Sequence, residues 1–222
     1  MAKTEALVPA VTMLEELTSI EPDSRGIGAV RVSVNGRWFC TVPAAAAREL
    51  DLRPGRELTP ELRQRLGEAA DAQAAFRYIV AALGRRSFAR RDLERRMVRK
   101  GHGPGATAAA LDRAAAAGLI DDAAFAREFA STKADRGRGP ARLLRDLFAM
   151  GVARDLAQTA VDSAWAERSE TGDPTRALAA KRARQLGDIP RPAKRRRLLA
   201  FLARRGFQGG EVGRMVSEVL NQ

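Results

Sequence analysis

The sequence predicts a mainly α protein carrying one small β/α module near its amino end. Aromatic residues make up only 5% of the 222-residue chain while alanine is abundant, which favours helices packed through small side chains. Strand-like alternation is confined to a single stretch. A Leu-x3-(Leu/Met)-x3-Gly element recurs three times, the mark of a repeated helical unit.

Residues 1–25 are expected to form an N-terminal tail. Glu5, Pro9, Glu15 and Glu16 deny it the unbroken apolar core of a signal peptide. The module follows at 26–73. Val30, Val32 and Val34 alternate with Arg31, Ser33 and Asn35, and Asn35-Gly36 supplies two residues that tolerate a tight hairpin turn. Ala44–Leu50 reads as a short helix stopped by Arg53-Pro54-Gly55, and Thr59-Pro60 opens another, with Thr59 as N-cap.

From Ala74 onward the pattern is helical throughout. The recurrent element appears as Leu93, Met97, Gly101, then Leu143, Leu147, Gly151, then Leu198, Leu202, Gly206. Small or apolar residues follow each glycine by six and ten positions: Thr107 and Leu111, Ala157 and Val161, Val212 and Val216. A helix precedes each copy, around Ala75–Leu83, Asp122–Ala134 and Thr175–Leu186. This spacing predicts three three-helix units, at 74–120, 121–168 and, after a linker-like break at Glu170–Pro174, 169–222. Leucines at i and i+4 form the buried stripe of each middle helix, and the glycine ends it in the left-handed conformation. Units of this size bury little alone, so the copies are expected to stack. Ala108–Ala110 and Ala114–Ala117 are expected to permit close approach.

Charge is unevenly placed. Residues 1–73 hold nine Lys/Arg against eleven Asp/Glu, whereas 74–222 hold thirty against sixteen, so the net +12 resides wholly in the helical part. Such a field concentrates polyanions. The middle helices carry the most ordered cations: Arg91, Arg95 and Arg99; Arg142 and Arg145; Arg197 and Arg204, with Lys194–Arg196 crowding one amino end. Cations there oppose the helix dipole, which hints at an external anion. Phosphate and carboxylate both suit the guanidinium fork.

Catalytic and metal-ligating patterns are absent. Neither a Gly-x4-Gly-Lys-Ser/Thr loop nor a Gly-x-Ser-x-Gly elbow occurs, and one histidine with one cysteine makes no zinc site. Gly101–Gly105 reads as a helix cap and connector, with His102 facing solvent. Asp121-Asp122 reads as a cap plus a favourable charge at the positive end of the helix bearing Phe125 and Phe129, not as a metal pair. The lone Cys40 fits a reducing cytosol, and no apolar run reaches the length of a membrane span.

Gly118-Leu-Ile-Asp-Asp-Ala-Ala-Phe-Ala-Arg-Glu-Phe129, Arg136-Gly-Arg-Gly-Pro140 and Leu143-x3-Leu147-x3-Gly151 closely resemble the RecX regulatory family. So do Asp92-Leu93-x3-Met97-x2-Lys100-Gly101 and Phe201-Leu-Ala-Arg-Arg-Gly-Phe207, and the order is preserved over 75–220. Members often carry Ser or Thr four residues before the first-copy leucine, where this chain has Ala89. The resemblance implies tandem three-helix repeats forming an elongated, curved body. It implies a cytoplasmic, non-enzymatic protein without cofactors, lying in the groove of the RecA–DNA filament and mostly inhibiting filament growth, ATP hydrolysis, strand exchange and co-protease activity. A monomer meeting single- or double-stranded DNA through the filament or directly is the expected form. Lys100, Arg136, Arg138 and Arg205 lie inside the matching motifs and join the expected binding set. Two rival classes are a DNA-binding transcriptional regulator acting without RecA and a nuclease. The Arg-rich helices are poor in Asn and Gln, which favours backbone over base contacts.

Overall fold

The computed structural model describes residues 14–24, 28–169 and 173–221; the first thirteen residues of the expected tail and residues 170–172 of the expected linker lie outside them. Among the described residues the protein is mainly helical, with one three-stranded antiparallel sheet and no strand beyond Pro43. Among the described residues two compact units are formed, one from those up to Ala81 with 97–113, the other from 82–96 with those from Ala114 onward.

In the first unit the hairpin forms as its alternation dictates. Strands β2 (Ala29–Val34) and β3 (Arg37–Pro43) pair across Asn35 and Gly36, at φ 47° and 77°. Val32, Val34, Cys40 and Val42 are buried on one face, against α1 (Ala44–Glu49) and the start of α2 (Pro60–Leu83). A third strand, β1 (Leu17–Pro22), pairs with β2 where the sequence shows only tail. It contributes a single fully buried side chain, Leu17, so it has almost no alternation to read. Backbone from a distant turn holds it: Leu17 N–H donates to Arg56 O at 2.9 Å, and its carbonyl accepts from Gly55 at 2.8 Å.

Helix α2 is one helix of 24 residues where the sequence reads two. Nothing between Glu61 and Leu83 breaks it; Gly67 is the lone weak helix former and faces open space. At its start Thr59 Oγ1 accepts from Leu62 N–H at 3.2 Å, as an N-cap does. Further along, buried Gln73 accepts from Arg113 at 2.7 Å while the guanidinium stacks 3.9 Å from the Phe76 ring. Burial pulls the Arg113 pKa below its ordinary value.

His102 is not the solvent-facing connector expected. Its side chain is mostly buried and Nδ1 lies 2.5 Å from Asp71 Oδ1, whose other oxygen accepts from Gly103 N–H at 2.8 Å. Asp71 thus closes the turn before α4 (Pro104–Ala116). Of the alanines expected to pack closely there, only Ala110 and Ala114 are buried; the others fall on the open side of the helix.

The second unit is built of α5 (Asp122–Asp135), α6 (Pro140–Met150) and α7 (Arg154–Ser169), then α8 (Pro174–Gln185), α9 (Arg191–Arg205) and α10 (Gly210–Val219). The α5–α7 core joins Phe125, Leu143, Leu147, Ala157 and Val161; the α8–α10 core joins Ala179, Leu198, Leu202, Phe207 and Val216. Helix α3 (Arg90–Arg99) buries Leu93 and Met97 completely. Its first N–H, on Arg90, is capped from afar: Asp122 Oδ1 accepts it at 2.7 Å. Asp121 caps its own helix, accepting from Ala124 at 2.8 Å. Asp122 therefore serves α3 as an acceptor rather than merely favouring the α5 dipole, and the buried Ala89 does not need to be a cap.

Candidate polyanion interface

All twelve cations of the expected binding set lie among the described residues, and the structure sorts them into groups. Five of them (Arg136, Arg138, Arg142, Arg204 and Arg205) converge with Lys133 on one hollow of about 390 Å³, whose only other lining residue is Gly137. The convergence is tertiary. Lys133 lies in the last turn of α5, Arg136 is its C-cap, Arg138 sits in the turn, Arg142 lies in the first turn of α6, and Arg204 and Arg205 close α9.

What joins these elements is the docking of one helix end on another. Gly139 N–H donates to Arg205 O at 2.7 Å and Ala141 N–H to Gly206 O at 3.2 Å, so the open amino end of α6 meets the carbonyl end of α9. Gly206, at φ 92°, lets this happen: a Cβ there would stand 2.4 Å from Arg142 N. Gly151 plays the same part on the stem of Arg91, where a Cβ would stand 2.5 Å from Arg91 Cβ. Nearby, Arg95 donates to Ala149 O at 2.9 Å.

The hollow's cations are unequally engaged. Asp146 pairs with Arg138 at 2.5 Å and with Arg142 at 3.1 Å. Arg205 donates to the Arg136 and Gly137 carbonyls at 3.4 and 3.3 Å and stacks 4.7 Å over Phe201. Lys133 lies 5.6 Å from the Phe129 ring. Arg136 and Arg204 are exposed and meet no carboxylate among the described residues. Lys133, Arg204 and Arg205 gain from the negative ends of their helices, but six cations around one hollow repel each other and leave an uncompensated field.

The remaining expected residues lie elsewhere. Arg91 and Arg95 are exposed on α3, Arg145 is exposed on α6, and Arg99 and Lys100 are exposed at the α3 end within the first unit. Lys100 Nζ approaches Tyr78 to 5.7 Å. Lys194 and Arg197 lie in the first half of α9, and Lys194 lines a separate cavity with Asp188 and Arg191. At 1.5 Å per residue Lys194 is about 15 Å along the helix from Arg204, so one end of α9 alone feeds the hollow. Lys133 escaped the sequence reading, although a lysine in the last turn before a glycine-rich stop is a visible signal.

The family model of the second three-helix domain of RecX matches residues 121–161, the stretch that carries Lys133 to Asp146. Regulatory protein RecX of Halorhodospira halophila is 33% identical over 154 residues, which span 66% of this chain and 89% of that protein. The chain belongs to the RecX family of regulatory proteins. Regulatory protein RecX of Chromohalobacter salexigens is 35% identical over 134 residues, 60% of this chain and 84% of that one. A crystal structure of a regulatory protein RecX superposes with a TM-score of 0.73 over 92% of this chain and all of that chain, at 19% identity, and so shares the RecX fold. RecX from Lactobacillus salivarius aligns with a TM-score of 0.57 at 17% identity, over 67% of this chain and 96% of the other. Among the described residues no helix is long and apolar enough to cross a membrane and no cluster of metal-ligating side chains occurs.

Proposed function

We propose that this RecX-family chain binds the RecA–DNA filament and restrains filament growth, ATP hydrolysis, strand exchange and co-protease activity. The observation that carries the reading is the hollow formed by Lys133, Arg136, Arg138, Arg142, Arg204 and Arg205. A hollow lined by six cations fits a phosphate backbone or an acidic protein surface, and a nucleoprotein filament offers both. The chain acts as a cytoplasmic monomer built of the β/α module at 26–73, to which β1 adds a strand from Leu17, and three-helix units at 74–120, 121–168 and 169–222, the first entered through the continuous helix α2. The exposed Arg91, Arg95, Arg99, Lys100, Arg145 and Arg197, with the half-buried Lys194, extend the contact beyond the hollow, and binding that spans several protomers favours one filament geometry.

The test is RecA ATPase on single-stranded DNA with increasing amounts of the chain. Inhibition is expected, and Arg136→Glu with Arg204→Glu is expected to weaken it roughly tenfold or more, since charge-assisted contacts are lost and repulsion replaces them. Both residues are exposed and free of ion pairs among the described residues, so the fold stays intact. Undiminished inhibition by the folded double variant would remove the hollow from the contact. No inhibition and no filament binding by the unaltered chain would overturn the reading.

A further inference from the structure

Beside the hollow, and sharing Arg136, Gly137 and Arg205 with it, lies a larger cavity of about 970 Å³ walled by α5, α7, α8 and α9. Five cations line it (Arg136, Arg168, Lys181, Arg182 and Arg205), against two carboxylates, Asp135 and Asp173. Both carboxylates are already engaged. Asp135 pairs with Arg168. Asp173 caps α8, accepting from Arg176 N–H at 2.9 Å, and lies 3.7 Å from the Arg176 guanidinium. Arg136, Lys181, Arg182 and Arg205 have no carboxylate partner among the described residues.

An aromatic floor holds two of these cations in place. The Arg182 and Arg205 guanidinium carbons lie 5.3 and 4.7 Å from the Phe201 ring centre. Arg182 donates to Gln185 Oε1 at 3.2 Å, yet its Nε is buried with no hydrogen-bond acceptor among the described residues. Trp165, Phe207 and Leu178 continue the apolar wall, Trp165 meeting Phe207 edge to face at 5.5 Å. The cavity thus combines an apolar, aromatic wall with an uncompensated cationic rim, at a volume typical of small-molecule sites.

We propose that this cavity binds a nucleoside 5′-phosphate, its base against the Trp165, Leu178 and Phe207 wall and its phosphate groups on Arg136, Lys181, Arg182 and Arg205. Guanidinium forks and a lysine match phosphate oxygens, and a planar heterocycle matches an aromatic wall. An acidic peptide would satisfy the rim and leave the wall uncovered. The source of the ligand is a free nucleotide or the 5′-terminal nucleotide of a strand. The proposal goes beyond filament binding and does not rest on it.

The chain has two tryptophans, and Trp38 is 61% exposed on the sheet, so Trp38→Phe leaves Trp165 as the sole emitter inside the cavity. This full-length variant is titrated with ADP, adenosine, inorganic pyrophosphate, and oligoadenylates with and without a 5′-phosphate. A saturable change of Trp165 emission is expected with ADP, roughly tenfold or more weaker for adenosine or pyrophosphate alone and after Lys181→Ala. Saturation by the 5′-phosphorylated strand but not by ADP supports the same chemistry and assigns the strand end as source. Pyrophosphate binding as tightly as ADP overturns the base contact and with it the proposal. So do equal responses to the two strands without saturation by ADP, or no saturable response at all. No RecA enters the measurement, so its failure and the failure of the filament reading are separate results.

Discussion

Gly101 and Gly206 end α3 and α9 with nearly the same backbone, φ 88° and 92°, and both complete the same sequence element. Their surroundings differ. A Cβ on Gly101 would meet nothing within 4 Å, whereas one on Gly206 would stand 2.4 Å from the backbone nitrogen of Arg142. The first glycine is needed for conformation alone. The second is needed for conformation and for the approach of another helix, and that approach assembles the cationic hollow. One sequence signal therefore covers two physical demands, and only the partner's position tells them apart.

Gly206→Ala separates the two glycines most strongly. Strain and a backbone clash combine, so urea unfolding is expected to show a loss of more than about 3 kcal/mol. Gly101→Ala should lose only about 1–2 kcal/mol, the left-handed penalty alone. Equal losses would mean that the docking of α6 on α9 costs nothing to disrupt. Asp122→Ala removes the remote cap of α3 and should cost about 1 kcal/mol, lowering the melting temperature; amide exchange at Arg90 should rise with it. Faster exchange confined to α5 would show that Asp122 serves its own helix after all.

The smallest effect concerns the sheet. Burial pushes the Cys40 thiol from 9.0 to about 11, so the folded state holds that proton more tightly than the unfolded chain. The resulting stability is complete below 9.0 and is lost as pH rises toward about 11. Across that window the urea midpoint of the native chain should fall faster than that of Cys40→Ser, and parallel curves would refute the burial effect. No such dependence is expected from the helix docking, which rests on backbone groups that do not titrate.

Much of the candidate site was legible because its first half is contiguous. Arg136, Arg138 and Arg142 fall within one turn and the helix after it, and the Gly-rich spacing around them is readable as a stop and a restart. Arg204 and Arg205 were legible as cations on a helix, but nothing in their own segment says which helix end they will meet. Arg95 shows the opposite failure. It reads as part of a free charged face, yet it donates to the Ala149 carbonyl. Arg182 went unread because the ring it meets, Phe201, lies nineteen residues further on, and nothing in its own periodicity marks that contact.

By itself the sequence determined the local structure: valine alternation and Asn35-Gly36 made the hairpin, and leucines at i and i+4 before a glycine made the middle helices. It also determined the concentration of positive charge beyond residue 73. Period, propensity and charge depend on near neighbours in the chain, so a single sequence contains them. The tertiary structure alone decided that β1 joins the sheet, that Asp122 caps α3, and that the ends of α6 and α9 meet over Gly206. Each of those satisfies backbone groups with partners distant in the chain, and such pairing is fixed only when packing brings the two together.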